Sequence, residues 1–235
     1  MPADRSATPW WRDPHVRPMI VACFTLSAAV GVFGMSFGVT SVSAGASIAQ
    51  TCALSLLVFT GASQFSAVSV VGAGGSLGSA LGGALLLAAR NAVYGLAMSQ
   101  RLDGSLGRRL LAAQMTIDET TAMAVAQPDR WSQQIAFWFT GATLYAFWNI
   151  GTLIGAVAGG AIDTRTFGLD AAFPAGFVAL VWPLLRDRRA RLAAVLGAVL
   201  CLVTIPVTPV GVPILLSAVA VLVGLPRPAE SGESR

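Results

Sequence analysis

The sequence predicts an all-α, polytopic membrane protein with about seven transmembrane helices, six being the alternative count. Hydrophobic residues make up 55% of the chain and charged residues only 11%, whereas a soluble domain carries about 25% charged residues. Residues 18–89 form a run of 72 residues without a single Asp, Glu, Lys or Arg. Because about 20 residues cross a hydrocarbon core, this run has room for about three helices. Soluble enzymes, nucleic-acid-binding proteins and disordered chains are thereby excluded.

A single transmembrane domain is predicted over residues 18–226, with a short polar tail, 227–235, after it. Its first half contains no charge before Arg90, and short uncharged joints divide that part. The predicted segments of this half are an N-terminal polar tail, three helices and a polar connection, at 1–17, 19–42, 47–71, 77–100 and 101–132. The connection is not uniformly polar, so it is predicted to be either a solvated loop or a segment that re-enters the membrane.

The second half contains one long helix, one short helix and a proline-interrupted stretch. The predicted segments are 133–158, 171–185 and 192–226. Pro206, Pro209 and Pro213 lie at the middle of the last stretch. Because prolines so close together break a helix, two short helices meeting at a turn are predicted there.

The predicted helices also suggest an internal repeat. Residues 19–100 and 133–225 would form an inverted pair of three helices each, followed by a last helix, which is a common transporter design. All 15 basic residues are arginine. Their distribution over the loops of a seven-helix arrangement predicts an N-terminus outside and a C-terminus inside.

Arg90 is the most unusual residue of the predicted third helix. It lies about ten residues from the polar end of that helix, which is about 15 Å and therefore about mid-membrane. Such a charge is costly and generally faces a cavity or a partner. Its guanidinium suits a carboxylate, either that of a substrate or that of Asp118 or Glu119. Asn91 and Tyr94 are candidate neighbours in the same site.

Residues 59–66 place polar groups in the middle of the predicted second helix. Gly61, Ser63 and Gln64 are tolerable at membrane depth only where protein or water satisfies them. One interpretation is a broken helix whose freed backbone groups and Gln64 face a substrate. The other is close helix packing, with Gln64 bonded across a helix interface.

Asp118 and Glu119 are the third candidate feature. They form either a proton or substrate-ammonium site, or a solvated turn, and composition favours the turn. His15 is the only histidine, and the three cysteines stand far apart. Neither a metal site nor a cofactor is therefore predicted.

Four ordered motifs resemble the AzlC family. They match, in order and spacing, the signatures PFG…FG, FAGAAQF, NLRHxxYG and TDE of that family, and the later segments 148–155 and 168–175 are similar to its second half. The matching segments are Gly31–Gly38 (GVFGMSFG), Leu54–Phe65 (LSLLVFTGASQF), Leu86–Leu96 (LLAARNAVYGL) and Ile117–Glu119 (IDE). The chain departs from the family at Val32, where Pro is usual, and at Asn91, where His is common.

The resemblance implies an exporter of branched-chain amino acids in the bacterial inner membrane, working with a small AzlD-type membrane subunit. Valine, leucine and isoleucine are the implied substrates, with methionine a further candidate. Phe33, Gly34, Gly38 and Phe65 join the substrate-binding candidates on this basis. The alternatives are a carrier of another small organic solute, a channel and a non-transporting membrane scaffold. No nucleotide-binding motif is present, so proton or membrane potential would drive transport.

Overall fold

The computed structural model describes residues 14, 16–159, 178 and 182–224, and these residues are helical with short turns and no strand. The helices are α1 (Val16–Ser43), α2 (Ile48–Val58), α3 (Ala62–Gly72), α4 (Leu77–Ser99), α5 (Leu106–Met115), α6 (Asp118–Val125), α7 (Arg130–Ala158), α8 (Arg188–Thr204), α9 (Val212–Ser217) and α10 (Val221–Gly224).

Four of the described helices are long and apolar enough to cross a membrane: α1, α4, α7 and the segment Arg188–Val207. The predicted all-α membrane fold is confirmed. Of the helix predicted over 171–185, residues 171–177 and 179–181 lie outside the described residues, and Trp182–Arg186 form a short 3-10 helix. The predicted proline break is present, because the chain turns between Thr204 and Val212.

α1 and α7 form the central contact of the fold, and glycines make it close. A Cβ atom on Gly34 would lie 2.6 Å from the carbonyl oxygen of Trp148, and one on Gly38 would collide with the backbone at Thr152. Small residues of this kind let helix backbones approach each other in membrane proteins. The Ser27 and Thr143 hydroxyls are 2.8 Å apart in the same contact. We call this contact the glycine seam.

The glycine seam shows that α1 and α7 run in the same direction. Cys23 packs with Ala136 near the start of both helices, and Gly159 approaches Val39 near their ends. Inversion of residues 133–225 relative to 19–100 would make these two helices antiparallel. The structure therefore differs from the predicted pairing of repeats.

Residues 48–72 form a hairpin that enters the helical body and leaves it on the same side. α2 begins beside the end of α1, where the hydroxyl oxygens of Ser41 and Thr51 are 2.8 Å apart. Further along α2, the Ser55 hydroxyl donates a hydrogen bond of 3.0 Å to Thr152 Oγ1 in α7. α3 then returns, because a Cβ on Gly72 would lie 2.9 Å from that of Ala44. The single crossing predicted over 47–71 is wrong, since the helix breaks at its middle and reverses.

Residues 106–125 form a second hairpin, which enters from the opposite side. The Arg101 carbonyl accepts hydrogen bonds from Arg130 Nε (3.2 Å) and Gln134 Nε2 (3.0 Å), so α4 ends where α7 begins. α5 runs inward from this end until Met115 contacts Gly141. α6 runs back, and the Gln127 carbonyl accepts a hydrogen bond from Gln133 near the start of α7.

Residues 16–125 therefore contain two units of the same kind, each a long helix followed by a hairpin, and the two units have opposite orientation. The first unit is α1 with the hairpin α2–α3, and the second is α4 with the hairpin α5–α6. The second unit starts at the end where the first finishes, because α4 begins beside α3: a Cβ on Gly83 would lie 3.2 Å from Ser66 Oγ. Inverted units of this kind are found in many transporters.

The last helices pack against α4. Gly211 approaches Ser79 at the start of α4, and Leu215 lies against Gly82. α8 runs antiparallel to this segment, since Ala193 contacts Gly224. The start of α8 therefore lies toward the same end of the body as the end of α4.

Nine of the ten described arginines consequently lie toward one end of the helical body, and Arg90 is the tenth. The sequence prediction of an external N-terminus assumed a different grouping of the arginines. Because the first hairpin does not cross the membrane, every element after it lies on the opposite side from the one assumed there. Since arginine-rich ends face the cytoplasm, we now expect the N-terminus inside. The nine are Arg17, Arg101, Arg108, Arg109, Arg130, Arg186, Arg188, Arg189 and Arg191.

Cysteine labelling tests this topology directly. In a variant lacking the native cysteines, we expect Ser43→Cys and Ala73→Cys to react with a membrane-impermeant maleimide added to intact cells, because both lie at the arginine-poor end. Ser105→Cys should react only after the membrane is permeabilised. Reaction of only one of the first two positions would restore a crossing at 47–71.

Substitution of a seam glycine tests the packing of α1 on α7. We expect Gly38→Ala to lower the thermal stability of the purified protein, since the added methyl group has no space and overpacking costs about 1–3 kcal/mol. Gly95→Ala is the matched control, because nothing lies within 4 Å of a Cβ at that position. Equal melting temperatures for the two variants would contradict the seam.

Candidate functional site

The first hairpin turns at a break of three residues that strains the backbone. Phe59 has a φ of 42° and Gly61 a φ of 56°, a region that only glycine adopts readily. Gln64 holds this turn from within: its Oε1 accepts hydrogen bonds from the amides of Thr60 (3.2 Å) and Gly61 (3.0 Å). Its Nε2 donates to the Leu54 carbonyl at 2.9 Å. The structure thus has the broken helix of the first interpretation, and Gln64 satisfies its backbone.

Side chains from two other elements satisfy the end of α2. Gln114 Nε2 in α5 donates to the carbonyls of Leu56 (3.3 Å) and Leu57 (3.2 Å). The Tyr145 hydroxyl in α7 donates to the Leu56 carbonyl at 3.0 Å. The tips of the two hairpins therefore meet, and Gln114 joins them on a partly exposed face of the helical body.

The second hairpin closes its own tip. Thr120 Oγ1 accepts a hydrogen bond from the Ile117 amide at 3.0 Å and donates to the Met115 carbonyl at 2.7 Å. Thr120 is fully buried, and Ile117 belongs to the same buried cluster as Phe59 and Phe65. The acidic pair that follows is thus held at the tip of a packed hairpin, and the solvated turn favoured by composition is wrong.

Arg90 reaches this second tip. Its terminal Nη2 lies 2.8 Å from Asp118 Oδ2, and the two side chains keep 33% and 20% of their surface exposed. Tyr94, one turn further along α4, lies beside Asp118 and near Glu119. The sequence left two partners open for Arg90, a substrate carboxylate and a carboxylate of the protein. In the structure the partner is the carboxylate of Asp118. Its Nε is buried without a hydrogen-bond partner in the described part of the chain.

The remaining candidates divide between the site and the glycine seam. Phe65 is buried beside the break and packs edge-on against Phe37, with ring centres 5.4 Å apart. Phe33 packs against the same cluster from its edge. Gly34 and Gly38 face α7 in the seam. Asn91 is half-buried on α4.

Sequence reasoning missed three residues that build the site: Gln114, Thr120 and Tyr145. Each supplies a side-chain hydrogen bond to a backbone group that a helix break frees. The available signal was a glutamine and a threonine placed on either side of the acidic pair. These two residues indicate a site only if residues 106–125 are known to form a hairpin, because the hairpin places them beside broken helix ends.

The arrangement offers the groups that a zwitterion needs. The second tip carries two carboxylates that can face an ammonium group, and the first tip carries amides and hydroxyls. Aromatic and aliphatic side chains lie between the tips. A small amphiphilic solute therefore fits the chemistry of the junction better than a large or purely ionic one.

Known proteins similar to this chain are membrane proteins. An uncharacterized membrane protein of Helicobacter pylori strain J99 is 29% identical over 160 residues, which are 66% of this chain and 70% of that protein. The branched-chain amino acid transport protein AzlC of Bacillus subtilis strain 168 is 24% identical over 229 residues, 94% of this chain and 86% of that protein. No solved structure matches the chain significantly.

The family comparison covers the part of the chain that contains the glycine seam and both hairpins. The model of the family described as AzlC protein matches residues 25–162, which is more than half of the chain. The matched region includes the break at 59–61, Arg90 and the acidic pair. The chain is a member of the AzlC family.

Proposed function

We propose that this protein is the large subunit of a secondary transporter that exports branched-chain amino acids across the bacterial inner membrane. Two findings support the substrate class: membership of the family, and a Bacillus relative that is a branched-chain amino acid transport protein. The observation that carries the proposal is the meeting of two oppositely inserted hairpins at the pair Arg90–Asp118. The protein is a carrier on this proposal and catalyses no chemical reaction.

The hairpins suit alternating access. The chain enters and leaves each hairpin on one side only, so on this proposal each opens toward its own side while the glycine seam stays closed. Phe59, Phe65 and Ile117 are buried together, which supports a closed contact between the tips. A solute held between the tips would thus be reached from one side when the first hairpin opens and from the other when the second does.

The acidic pair supplies the cation partner. Asp118 is oriented by Arg90, and Glu119 follows it in the first turn of α6. We assign the substrate ammonium group or a coupling proton to these two carboxylates. Arg90 acts by holding Asp118 toward α4, which links the second hairpin to a membrane-crossing helix. Proton or membrane potential supplies the energy on this assignment.

The apolar part of the substrate would lie against phenylalanines near the first break. Phe37, Phe59 and Phe65 are buried there, and Phe33 is half-buried at the edge. Valine, leucine and isoleucine, and methionine as a further candidate, have side chains of the right polarity. A hydrophobic pocket separates such side chains weakly, because one methylene is worth about 1–3 kcal/mol.

The proposed assembly includes a small AzlD-type membrane subunit and the surrounding lipid. Arg90 and Asp118 keep part of their surface exposed, although Arg90 lies near the middle of α4 and Asp118 at the tip of the second hairpin. Charges at membrane depth face protein or water in membrane proteins. A neighbouring subunit over this part of α4 would supply that environment.

Efflux of preloaded amino acids tests the proposal. Cells lacking their own exporters would be loaded with valine, leucine, isoleucine or methionine, with the chain expressed alone and together with its small subunit. We expect saturable efflux that requires both proteins. Absence of efflux with both proteins confirmed in the membrane would overturn the assigned substrate, and non-saturable flux would favour a channel.

Variants of the ion pair test the role of Arg90. We expect Arg90→Ala and Asp118→Asn each to lower export at least about tenfold, a loss of about 1.4 kcal/mol, because the remaining charge is left unpaired at membrane depth. Arg130→Ala is the matched control, since its pair with Asp103 is also short, at 2.6 Å, but largely exposed.

Exchange of the two charges separates a structural pair from a functional one. If Arg90 and Asp118 only hold two helices together, the double variant Arg90→Asp with Asp118→Arg should recover export. On the proposed mechanism it should insert normally and stay inactive, because the carboxylate has moved from α6 to α4. Full recovery of export would contradict the role assigned to Asp118.

A further inference from the structure

Among the residues that the structure describes, the start of α3 has backbone amides without hydrogen-bond acceptors. Helix α3 begins at Ala62, and the first amide of the helix that donates within it is that of Phe65, to the Gly61 carbonyl at 3.0 Å. The amides of Ala62, Ser63 and Gln64 therefore precede the helical hydrogen bonds. Within the described residues no side chain caps this end, because Gly61 at the cap position has none.

Other backbone groups around the break have side-chain partners. Gln64 accepts the Thr60 and Gly61 amides, and the carbonyls of Leu54, Leu56 and Leu57 receive side-chain donors. Side-chain donors thus reach the end of α2, whereas no hydrogen bond from the first three amides of α3 is found within the described residues. A surplus of hydrogen-bond donors therefore remains at the start of α3.

Three side-chain donors add to this surplus. Ser63 Oγ is buried without a partner in the described chain, and Ser63 keeps only 3% of its surface exposed. Thr60 Oγ1, just before the helix, is also buried and unpaired. The same holds for Nε1 of Trp148, whose ring lies 3.7 Å from a Cβ built on Gly61.

Such a set of donors favours an anion. The amides at a helix start carry a partial positive charge and point out of the helix, so they bind carboxylates and phosphates. Unpaired amides and hydroxyls at membrane depth cost free energy that an acceptor would recover. The neighbouring side chains, Phe37, Phe65 and Trp148, are aromatic and buried. The anion is therefore one that carries an apolar group.

We propose that the first turn of α3, with the hydroxyls of Ser63 and Thr60, binds the carboxylate of the transported amino acid. This assignment rests on the proposed function and deepens it. It gives the substrate carboxylate a partner other than Arg90, whose guanidinium already bonds Asp118 at 2.8 Å. The zwitterion then lies between the tips, with its carboxylate at the first hairpin and its ammonium group toward Asp118 and Glu119.

The burial of these donors describes a closed site. Phe59 and Ser63 expose only 2% and 3% of their surfaces. A substrate can reach the donors when one hairpin moves, and the donors are then enclosed with it. An occluded site is expected of a carrier that never opens to both sides together.

Binding of L-valine and of valinol tests the site. Valinol has a hydroxymethyl group in place of the carboxylate and keeps the amine and the side chain. Both would be measured on the full-length chain purified with its small subunit. We expect the wild-type complex to bind valinol at least about tenfold more weakly than valine, because a bond to a charged acceptor is lost.

Two serines on α3 provide a matched pair of variants. Ser63→Ala should weaken valine binding about tenfold and leave valinol binding unchanged, because the hydroxyl acts on the carboxylate. Ser66→Ala is the control, since its hydroxyl is also buried and unpaired but lies one turn further from the helix start. Thr60→Val should resemble Ser63→Ala. Each variant would first be shown to elute and melt like the wild type.

The outcomes separate the site from the function. Equal weakening of valine and valinol by Ser63→Ala, or no effect on either, would overturn the carboxylate site while leaving transport intact. The carboxylate would instead be assigned to Arg90 if Arg90→Gln abolished the preference for valine over valinol while Ser63→Ala kept it. A wild-type complex that neither binds nor exports any branched-chain amino acid would overturn the proposed function itself.

Discussion

The requirement that backbone polar groups at membrane depth find partners within the protein shapes both hairpins. A broken helix frees amides and carbonyls that lipid cannot satisfy. Here Gln64 bonds three of them, and Gln114 and Tyr145 bond the carbonyls of α2. Thr120 does the same for the second hairpin. Because the partners of the first break come from α5 and α7 as well as α3, neither hairpin tip is an independent local structure.

The glycine seam provides the support on which this arrangement depends. Gly34 and Gly38 bring the backbones of α1 and α7 so close that the two helices act as one broad column. Trp148 projects from this column and contacts both Phe37 and Gly61. The seam thus places an aromatic platform under the first break. On the proposed mechanism, this column is the part that stays closed and the two hairpins are the parts that move.

Sequence reasoning succeeded where composition or local chemistry decides and failed where a long-range contact decides. Absence of charge over 18–89 is sufficient for a membrane protein, and the prolines near 209 are sufficient for a break. A crossing helix and a re-entrant hairpin over 47–71 have the same residues, however, and contacts distant in sequence separate them, such as that of Ser55 with Thr152. Likewise, Asp118 resembles a loop residue until the tip closed by Thr120 and the distant Arg90, 28 positions earlier, are placed beside it.

The two inverted units are alike in backbone and opposite in chemistry. The first hairpin carries uncharged donors at its tip, while the second carries two carboxylates. A solute with a negative and a positive end would therefore contact each hairpin through a different end. Opening one hairpin then removes one electrostatic partner of the solute and keeps the other. The site therefore binds the solute more weakly before the solute leaves. Both hairpins opening together would remove both partners at once. The opposite chemistry of the two tips thus opposes a continuous pore on the proposed mechanism.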